Sequence, residues 1–476
     1  MRLVPPTDAL YLWAESQRSP AHVIALQIFQ PPPGAGPELL DELYAAMTDQ
    51  DALKPAFRRR PYRSPATAGQ YAWAMDDDVD MTLHVRRVAL PRPGRVRELL
   101  EHVADFHATL LDRDRPLWQA HLVEGMADGR FALCTKMHHA SFDGVNMGRH
   151  VLGGLSPDPA ERGCAAPWIV PSRRRTSSRP PRPVTHSSGA PSLTSIGKGA
   201  LDVATRVGGT LEALATSGVS SVRNGQLTLP FSAPHTVLNT RVSSARRFAG
   251  DSWPIARLRE VARGTGTSIN DVALTMCAGA LRAYLLERDA LPRDPLVAMV
   301  PVSLSCTDPS GEARDGNSWA AVLCNLGTDT ADDLTRLRRI NCSMRRSKRL
   351  MSELDPVTAT AVSGAVMGGV VLNTLPGVPL PPRPAFNLVI SNVPAVATPL
   401  YLDGAEMTET YPVSVVTDGQ ALNITLVSYS DRLAFGITGC RRSVPHLQRL
   451  LAHLEHTLAD LEKAAARHGP CARTAS

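Results

Sequence analysis

Apolar and polar positions alternate between Arg130 and His139, with Phe131, Leu133, Thr135 and Met137 on one face. This period of two predicts a strand. Asp128-Gly129 just before it is a turn signal, so Trp118 to Glu124 is the expected hairpin partner. Arg95 to Asp112 follows the other period: Val96, Leu99, Leu100, Val103, Phe106 and Leu110 line one face of an amphipathic helix. Later elements are a helix opened by Ser268, a buried strand from Val297 to Val302, strands near Phe386 and Tyr411, and a hairpin from Leu422 to Ile437. A closing helix sets Leu447, Leu450, Leu451, Leu454, Leu458 and Leu461 on one stripe. Helices and strands follow without strict alternation, which predicts an α+β fold with mixed sheets.

The pattern divides the chain. Residues 1–155 form a first domain, and residues 236–476 form a second. Between them, 156–235 is a Pro/Ser/Arg-rich linker with a connecting helix, containing Arg173-Arg174-Arg175 and Arg179-Pro180-Pro181-Arg182-Pro183. From Asp355 to Arg383 no charged residue intervenes, and Gly364 and Gly368 make a G-x-x-x-G. Small polar residues and prolines interrupt this stretch too often for a membrane span, so a buried, closely packed helix is expected, with an interfacial or acyl-chain-lining segment as the alternative.

Composition narrows the class. At 476 residues with 43% hydrophobic and 20% charged residues, the chain can bury two cores. A net charge of +6 mildly favours anionic partners and is too small to imply nucleic acid, for which no motif is present. Eight cysteines without a C-x-x-C pair are expected as free thiols in a reducing compartment, with no metal site. Pro5, Pro6 and Asp8 interrupt any leader-like apolar run at the start.

The candidate chemistry lies at the end of the first predicted strand. Met137-His138-His139-Ala140-Ser141-Phe142-Asp143-Gly144 reads H-H-x-x-x-D-G. Adjacent strand residues face opposite sides, so only one histidine can lead into a given pocket. His139 is assigned as the general base, able to take a hydroxyl proton near neutral pH. His138 is a support residue, Asp143 orders the loop, and Gly144 supplies turn freedom. Ser268 and Asp271 fit a helix capping box, which explains Asp271 structurally. Asn270 in that first turn is not needed for the cap. Pro116-Leu117-Trp118 is explained by a proline ending a helix before an apolar strand, with Trp118 in the core. No G-x-S-x-G elbow is present, and nothing marks Cys134 as activated.

These motifs together resemble one family. H-H-x-x-x-D-G is similar to the active-site run of thioester-dependent acyltransferases. Thr7-Asp8-Ala9-Leu10-Tyr11-Leu12 with His22-Val23, Pro116-Leu117-Trp118, Asn270-Asp271-Val272, Gly316-Asn317, Asn387 to Pro394 and Ser428-Tyr429 resemble blocks of the bacterial wax ester synthase/diacylglycerol acyltransferase branch, in order. After Asn392-Val393-Pro394 the chain has Ala395 where that family usually has glycine. The resemblance implies two chloramphenicol-acetyltransferase-like sandwich domains with an active-site channel between them. It implies transfer from acyl-CoA, as substrate and without a cofactor, to diacylglycerol, a fatty alcohol or both. Asn270 and Asp271 would then serve oxyanion stabilisation or acceptor positioning. A cytoplasmic protein with peripheral contact to the inner membrane face or lipid droplets is also implied. A related enzyme of specialised metabolism and a non-catalytic lipid-binding relative are the alternatives.

Overall fold

The computed structural model describes residues 2–49, 53–67, 69–142, 144–163, 166–170, 228–303, 319–353 and 377–468, with 363, 364, 366, 368, 370, 373 and 374. The first half contains β1 (Arg2–Leu3), α1 (Pro6–Ala14), β2 (His22–Gln30), α2 (Glu38–Met47), β3 (Arg59–Tyr62), β4 (Ala72–Met75), α3 (Met81–His84), β5 (Val85–Ala89), α4 (Val96–Ala108), β6 (Trp118–Glu124), β7 (Phe131–His138) and α5 (Gly144–Leu152). The second contains β8 (Arg246–Pro254), α6 (Ile255–Thr265), α7 (Ile269–Leu286), β9 (Val297–Ser303), β10 (Trp319–Asn325), α8 (Asp333–Glu353), β11 (Leu388–Val396), β12 (Tyr401–Leu402), β13 (Ala405–Val413), β14 (Leu422–Tyr429), β15 (Arg432–Cys440) and α9 (Arg449–His468).

Two six-stranded sheets organise these elements: β12-β13-β2-β7-β6-β5 and β10-β9-β11-β14-β15-β8. Both are mixed. β5 runs parallel to β6, and β11 parallel to β9 and β14, while the other pairs are antiparallel. A third, small sheet, β1-β4-β3, lies beside the first. The predicted alternation holds in β7: Phe131, Leu133 and Met137 join one core with Trp118 and Phe29, whereas Ala132 and Cys134 join another with Ile24, Leu26 and Phe106.

In the second lobe, α6 to α9 cover one sheet face. Leu447, Leu450, Leu454, Leu458 and Leu461 are fully buried there, each worth about 1.5–3 kcal/mol of transfer energy. The apolar α7 is long enough to cross a membrane, yet it is the buried centre of this core.

Three expectations change. The helix expected over 95–112 stops at Ala108, and Val96 is exposed, so Pro116 does not terminate it. The linker does not begin at residue 156. Ser156 bridges Tyr401, and Ala166, Trp168 and Ile169 are buried in the first core, because the Trp168 indole can donate to Met47 O at 2.9 Å. Residues 171–227, including the arginine runs, lie outside the described residues. In the uncharged stretch, Val366 is buried and Ser363 Oγ accepts from Ala321 N–H at 2.9 Å. A Cβ at Gly364 or Gly368 would meet nothing within 4 Å among the described residues, so these glycines make no close helix contact there.

The two halves also exchange structure. β13 leaves the second half to pair with β2 in the first sheet, from Glu406↔Gln30 to Val413↔Ile24. A division at residue 236 therefore does not separate the sheets. The crossing is made possible by glycine. Gly250 of β8 and Gly436 of β15 are register partners. A Cβ at Gly436 would lie 1.9 Å from Pro412 O, and one at Gly250 would lie 2.9 Å from the Tyr411 ring. The paired glycines form a slot for β13. Tyr429 secures the entry, donating to Met407 O at 2.7 Å and accepting from Leu400 N–H at 2.9 Å. Gly436→Ala should lower unfolding free energy by about 1–3 kcal/mol or more, because backbone oxygen cannot step aside, while Gly250→Ala should cost less. Urea denaturation checks this, and wild-type stability in Gly436→Ala would show that the slot does not fix the crossing.

Candidate functional site

The site is assembled where β7 ends. His138 is the cross-strand partner of His22 on β2, so their rings share one face. Both are fully buried. They face Glu15, the residue that ends α1, whose side chain is 1% exposed. Glu15 Oε1 lies 3.3 Å from His138 Nε2 and 3.9 Å from His22 Nδ1, and accepts from Ala21 N–H at 3.0 Å. Its other oxygen receives Arg113 Nη2 at 3.0 Å. Burial alone would raise the Glu15 pKa. Hydrogen bonding and charge from His138, then the Ala21 N–H and Arg113, outweigh that and hold it down to about 2.

His138 is hydrogen-bonded at Nδ1, while Nε2 faces Glu15. Ala140 N–H donates to Nδ1 at 3.1 Å, so the neutral ring carries its proton on Nε2, toward Glu15. Its own N–H donates to Leu117 O at 3.0 Å, which gives the Pro116-Leu117-Trp118 block a role beside the motif. Trp118 is buried, as expected, with its indole N–H donating to Phe57 O at 2.8 Å.

His139 is placed differently. It sits one residue beyond β7, half-buried, with its N–H donating to Ala21 O at 2.9 Å. Its imidazole stacks on Tyr11 of α1, with ring centroids 4.3 Å apart and planes 13° from parallel. Burial, then the charge of Asp8, pushes the Tyr11 phenol up to about 12, so it stays neutral at physiological pH. The chain turns after His139, with Ser141 and Phe142 N–H groups both donating to His138 O. Phe142 then packs against Phe57 and His150. Asp143 lies outside the described residues, and Gly144 begins α5.

A buried polar layer backs the histidines. Lys136, two residues before His138, donates to Phe106 O at 3.0 Å and Thr109 O at 2.9 Å, capping the end of α4. Burial pulls its pKa down to about 7, against the pull of Glu15. His22 Nε2 lies 2.6 Å from His107 O, and His107 Nε2 lies 3.2 Å from His22 O, a reciprocal pair of donors. Burial, then Arg246 and Lys136, pushes His107 down to about 3. His22 is depressed mainly by burial, then by His107. Arg246 of β8 reaches across from the second lobe to the carbonyl of Arg18.

The second-lobe motifs sit on elements of the other lobe. Asn270 is half-exposed in the first turn of α7. The capping box is present: Asp271 N–H donates to Ser268 Oγ at 3.2 Å, and Asp271 Oδ2 accepts from Ser268 N–H at 3.0 Å and from Asn341 Nδ2 at 2.8 Å. α7 packs on α6, α8 and α9. The structure does bring the Asn387 block toward the first lobe. α5, which follows the histidine motif, packs against β11, and a Cβ at Gly148 would stand 3.9 Å from Val393. Ser391 to Pro394 belong to β11, whose register shifts between Val393 and Val396. Asn387 is a buried tie, accepting from Val297 N–H at 2.8 Å and donating to Pro234 O at 2.6 Å. Gly316-Asn317 lies outside the described residues.

Tyr11, Glu15, Lys136 and Arg113 were not singled out by sequence reasoning as site residues. For Tyr11 and Glu15 a signal existed, since positions i and i+4 share a helix face. The five described cysteines are free, and burial pushes Cys134 up to about 12, which leaves it a poor nucleophile. No group of three or more His, Cys, Asp or Glu side chains among the described residues is placed to hold a metal ion.

Two mixed sheets, an exchanged strand and an H-H-x-x-x-D-G run at a strand end define a two-lobed acyltransferase architecture. The fold matches condensation domains, as in the first condensation domain of the CDA synthetase, with TM-score 0.59 at 14% identity over 100% of this chain and 99% of that one. Residues 4–273 match the wax ester synthase/diacylglycerol acyltransferase catalytic domain, and 315–462 match the C-terminal domain of the same group. A Mycobacterium tuberculosis protein named as a probable diacylglycerol O-acyltransferase is 46% identical over 468 residues, covering 98% of this chain and 99% of its own. The wax ester synthase/diacylglycerol acyltransferase from Marinobacter aquaeolei VT8 aligns with TM-score 0.76 and 35% identity, covering 98% of this chain and 100% of that one. The chain belongs to the wax ester synthase/diacylglycerol acyltransferase family.

Two outcomes test the site. Tyr11→Phe should keep the stack and most turnover, while Tyr11→Ala should lower kcat about tenfold or more with little change in KM, read by initial rates. Equal loss in both variants would assign the effect to the hydroxyl. The second concerns acid. Below about pH 6.5 unfolded histidine takes up a proton that folded His107 refuses until about pH 3. Stability should therefore fall as pH drops from about 6.5 toward 3, with Glu15 adding its loss from about 4.5 to about 2. His107→Gln should flatten the upper part of a melting temperature-against-pH curve, and an unchanged slope would remove His107 from the account.

Proposed function

We propose that the protein moves a fatty acyl group from acyl-CoA to the hydroxyl of diacylglycerol, of a long-chain alcohol, or of both. Family membership and the names of the relatives support the substrate class. The observation that carries the mechanism is the unequal setting of the two histidines. His138 is buried, with Nδ1 hydrogen-bonded and Nε2 3.3 Å from Glu15 Oε1, so it serves as scaffold. His139 is half-buried and stacked, at the end of the strand.

His139 accepts the hydroxyl proton as the oxygen attacks the thioester carbon. The carbonyl becomes a tetrahedral oxyanion, for which Asn270 is the candidate donor. The C–S bond breaks, the carbonyl re-forms as an ester, and the CoA thiolate takes the proton back from His139. No acyl-enzyme is formed. Both substrates supply all reacting atoms, so the chemistry calls for no cofactor. Asp143 orders the loop after His139, Gly144 opens α5, and Asp271 caps α7. The protein acts in the cytoplasm, in peripheral contact with the inner membrane face or with lipid droplets.

Purified protein given labelled palmitoyl-CoA with hexadecanol and diacylglycerol side by side should form ester on at least one acceptor. His139→Ala should lower turnover by about a hundredfold to ten-thousandfold with an unchanged melting temperature. Near-normal turnover in that variant would sink the general-base assignment, and ester on neither acceptor would sink the substrate assignment.

A further inference from the structure

The outer side of α8 carries charge of one sign. Between Asp333 and Glu353 stand six arginines and Lys348, with no Asp or Glu among them. Arg336 is buried and tied to Asp333, Arg339 pairs with Asp329 at 2.8 Å, and Arg349 pairs with Glu353 at 2.9 Å. Arg338, Arg345, Arg346 and Lys348 make no hydrogen bond or ion pair among the described residues. Lys348 and Arg349 stand three and four residues beyond Arg345, spacings at which like charges weaken a helix. Helix stability therefore does not explain this set of cations.

Their placement is specific. Arg338, Asn341, Arg345 and Lys348 recur at steps of three and four residues, so they form one stripe along α8. The three cations of the stripe are exposed. Asn341 marks what the stripe borders, because its Nδ2 donates to Asp271 Oδ2 in the first turn of α7 at 2.8 Å. Farther along α7, Arg282 donates to Thr328 O, shortly before α8 begins. The two helices are therefore antiparallel, and α8 runs on past the start of α7. Arg345 and Lys348 lie about 6 and 10 Å beyond Asn341 along the axis, on the same side. Asp271 is the acid of α7, and its carboxylate goes to Ser268 and Asn341 rather than to either cation.

We propose that Arg345 and Lys348 of α8 hold the phosphate groups of the acyl-CoA donor. The guanidinium fork matches phosphate oxygens in pairs, and the ammonium acts beside it as a mobile point charge. CoA presents a diphosphate and a 3′-phosphate, so two neighbouring cations on one stripe meet a ligand of matching charge. The pantetheine arm then runs back past Asn341 toward the first turn of α7, where Asn270 stands. The cations thus select the donor by its far end, away from the reacting carbonyl, and contribute to binding rather than to the chemical step. This rests on the reading that the donor is acyl-CoA.

The test compares two donors on the full chain, palmitoyl-CoA and S-palmitoyl pantetheine, which lacks every phosphate. Initial rates with dispersed hexadecanol give kcat/KM for each. The wild type should prefer palmitoyl-CoA, and Arg345→Ser/Lys348→Ser should lower that preference about tenfold or more, through KM rather than kcat. Arg346→Ser, on the other flank of α8, should keep the preference. A second readout needs no turnover. Cys342 is exposed and stands three residues before Arg345. CoA should slow its alkylation by iodoacetamide, read by peptide mass, pantetheine should not, and the double variant should lose the protection. An unchanged preference in the double variant overturns the proposal, and so does an equal loss with both donors. A palmitoylated acyl carrier protein used in preference to palmitoyl-CoA, and losing that preference in the same variant, would assign the stripe to an acidic protein and overturn it too. Protection of Cys342 by CoA without any ester supports the phosphate site while refuting the proposed reaction. Ester from palmitoyl-CoA with no protection refutes the site alone.

Discussion

The structure depends on one close approach, the passage of β13 over the paired glycines Gly250 and Gly436. The backbone of a strand can approach the backbone of another sheet this closely only where that sheet has no side chains at the crossing. At this crossing the Pro412 carbonyl occupies the space a Cβ of Gly436 would need. Everything downstream follows from that contact. β13 becomes the neighbour of β2, β2 the neighbour of β7, and the histidine end of β7 is fixed relative to a lobe that it does not belong to. The shared core shows the same coupling, since Ile24, Leu26, Phe106, Phe248, Tyr411 and Ala434 pack as one cluster drawn from both halves.

Within that frame the site is organised by a buried carboxylate in an unfavourable position. Glu15 ends α1, where the helix dipole disfavours negative charge, and it is also withdrawn from water. It stays ionised because His138, the Ala21 N–H and Arg113 surround it. The cost of leaving such a charge unpaired keeps those partners in place. Lys136, His107 and Arg246 repeat the logic at the lobe boundary, each with its donors directed at backbone carbonyls.

Much of this was legible in the sequence, for identifiable reasons. β7, β6 and the closing helix follow strict periodicities, and the capping box at Ser268 and Asp271 is a local motif with a local structure. His138 and His139 could be ranked apart by strand alternation, which says only that they differ and leaves open what each meets. The exchange of β13 was not legible, because pairing partners across some 380 residues leave no local trace in one chain. Nor were Gly250 and Gly436, which look like ordinary strand glycines until the crossing strand is seen. The G-x-x-x-G at Gly364 and Gly368 misled in the opposite direction: the pattern exists, but its small faces meet nothing among the described residues. Pro116 misled because α4 ends earlier, at Ala108, and the Lys136 side chain completes that end from another strand.

The geometry of α1 then explains why the N-terminal segment carries weight out of proportion to its length. At about 100° per residue, Glu15 lies about 40° from Tyr11 around the helix, whereas Trp13 lies about 200° away and Leu10 about 100° on the other side. Tyr11 and Glu15 therefore face inward together, one on each histidine, and Leu10 and Trp13 are turned outward by the same rotation. The helix cannot roll to bury its outer residues without dragging Glu15 from its partners. An ionised carboxylate held by three groups fixes the roll. The roll fixes the stack on His139, and it also keeps Leu10 and Trp13 exposed. That exposure is thus a consequence of how the catalytic strand end is held, and it persists in the free protein.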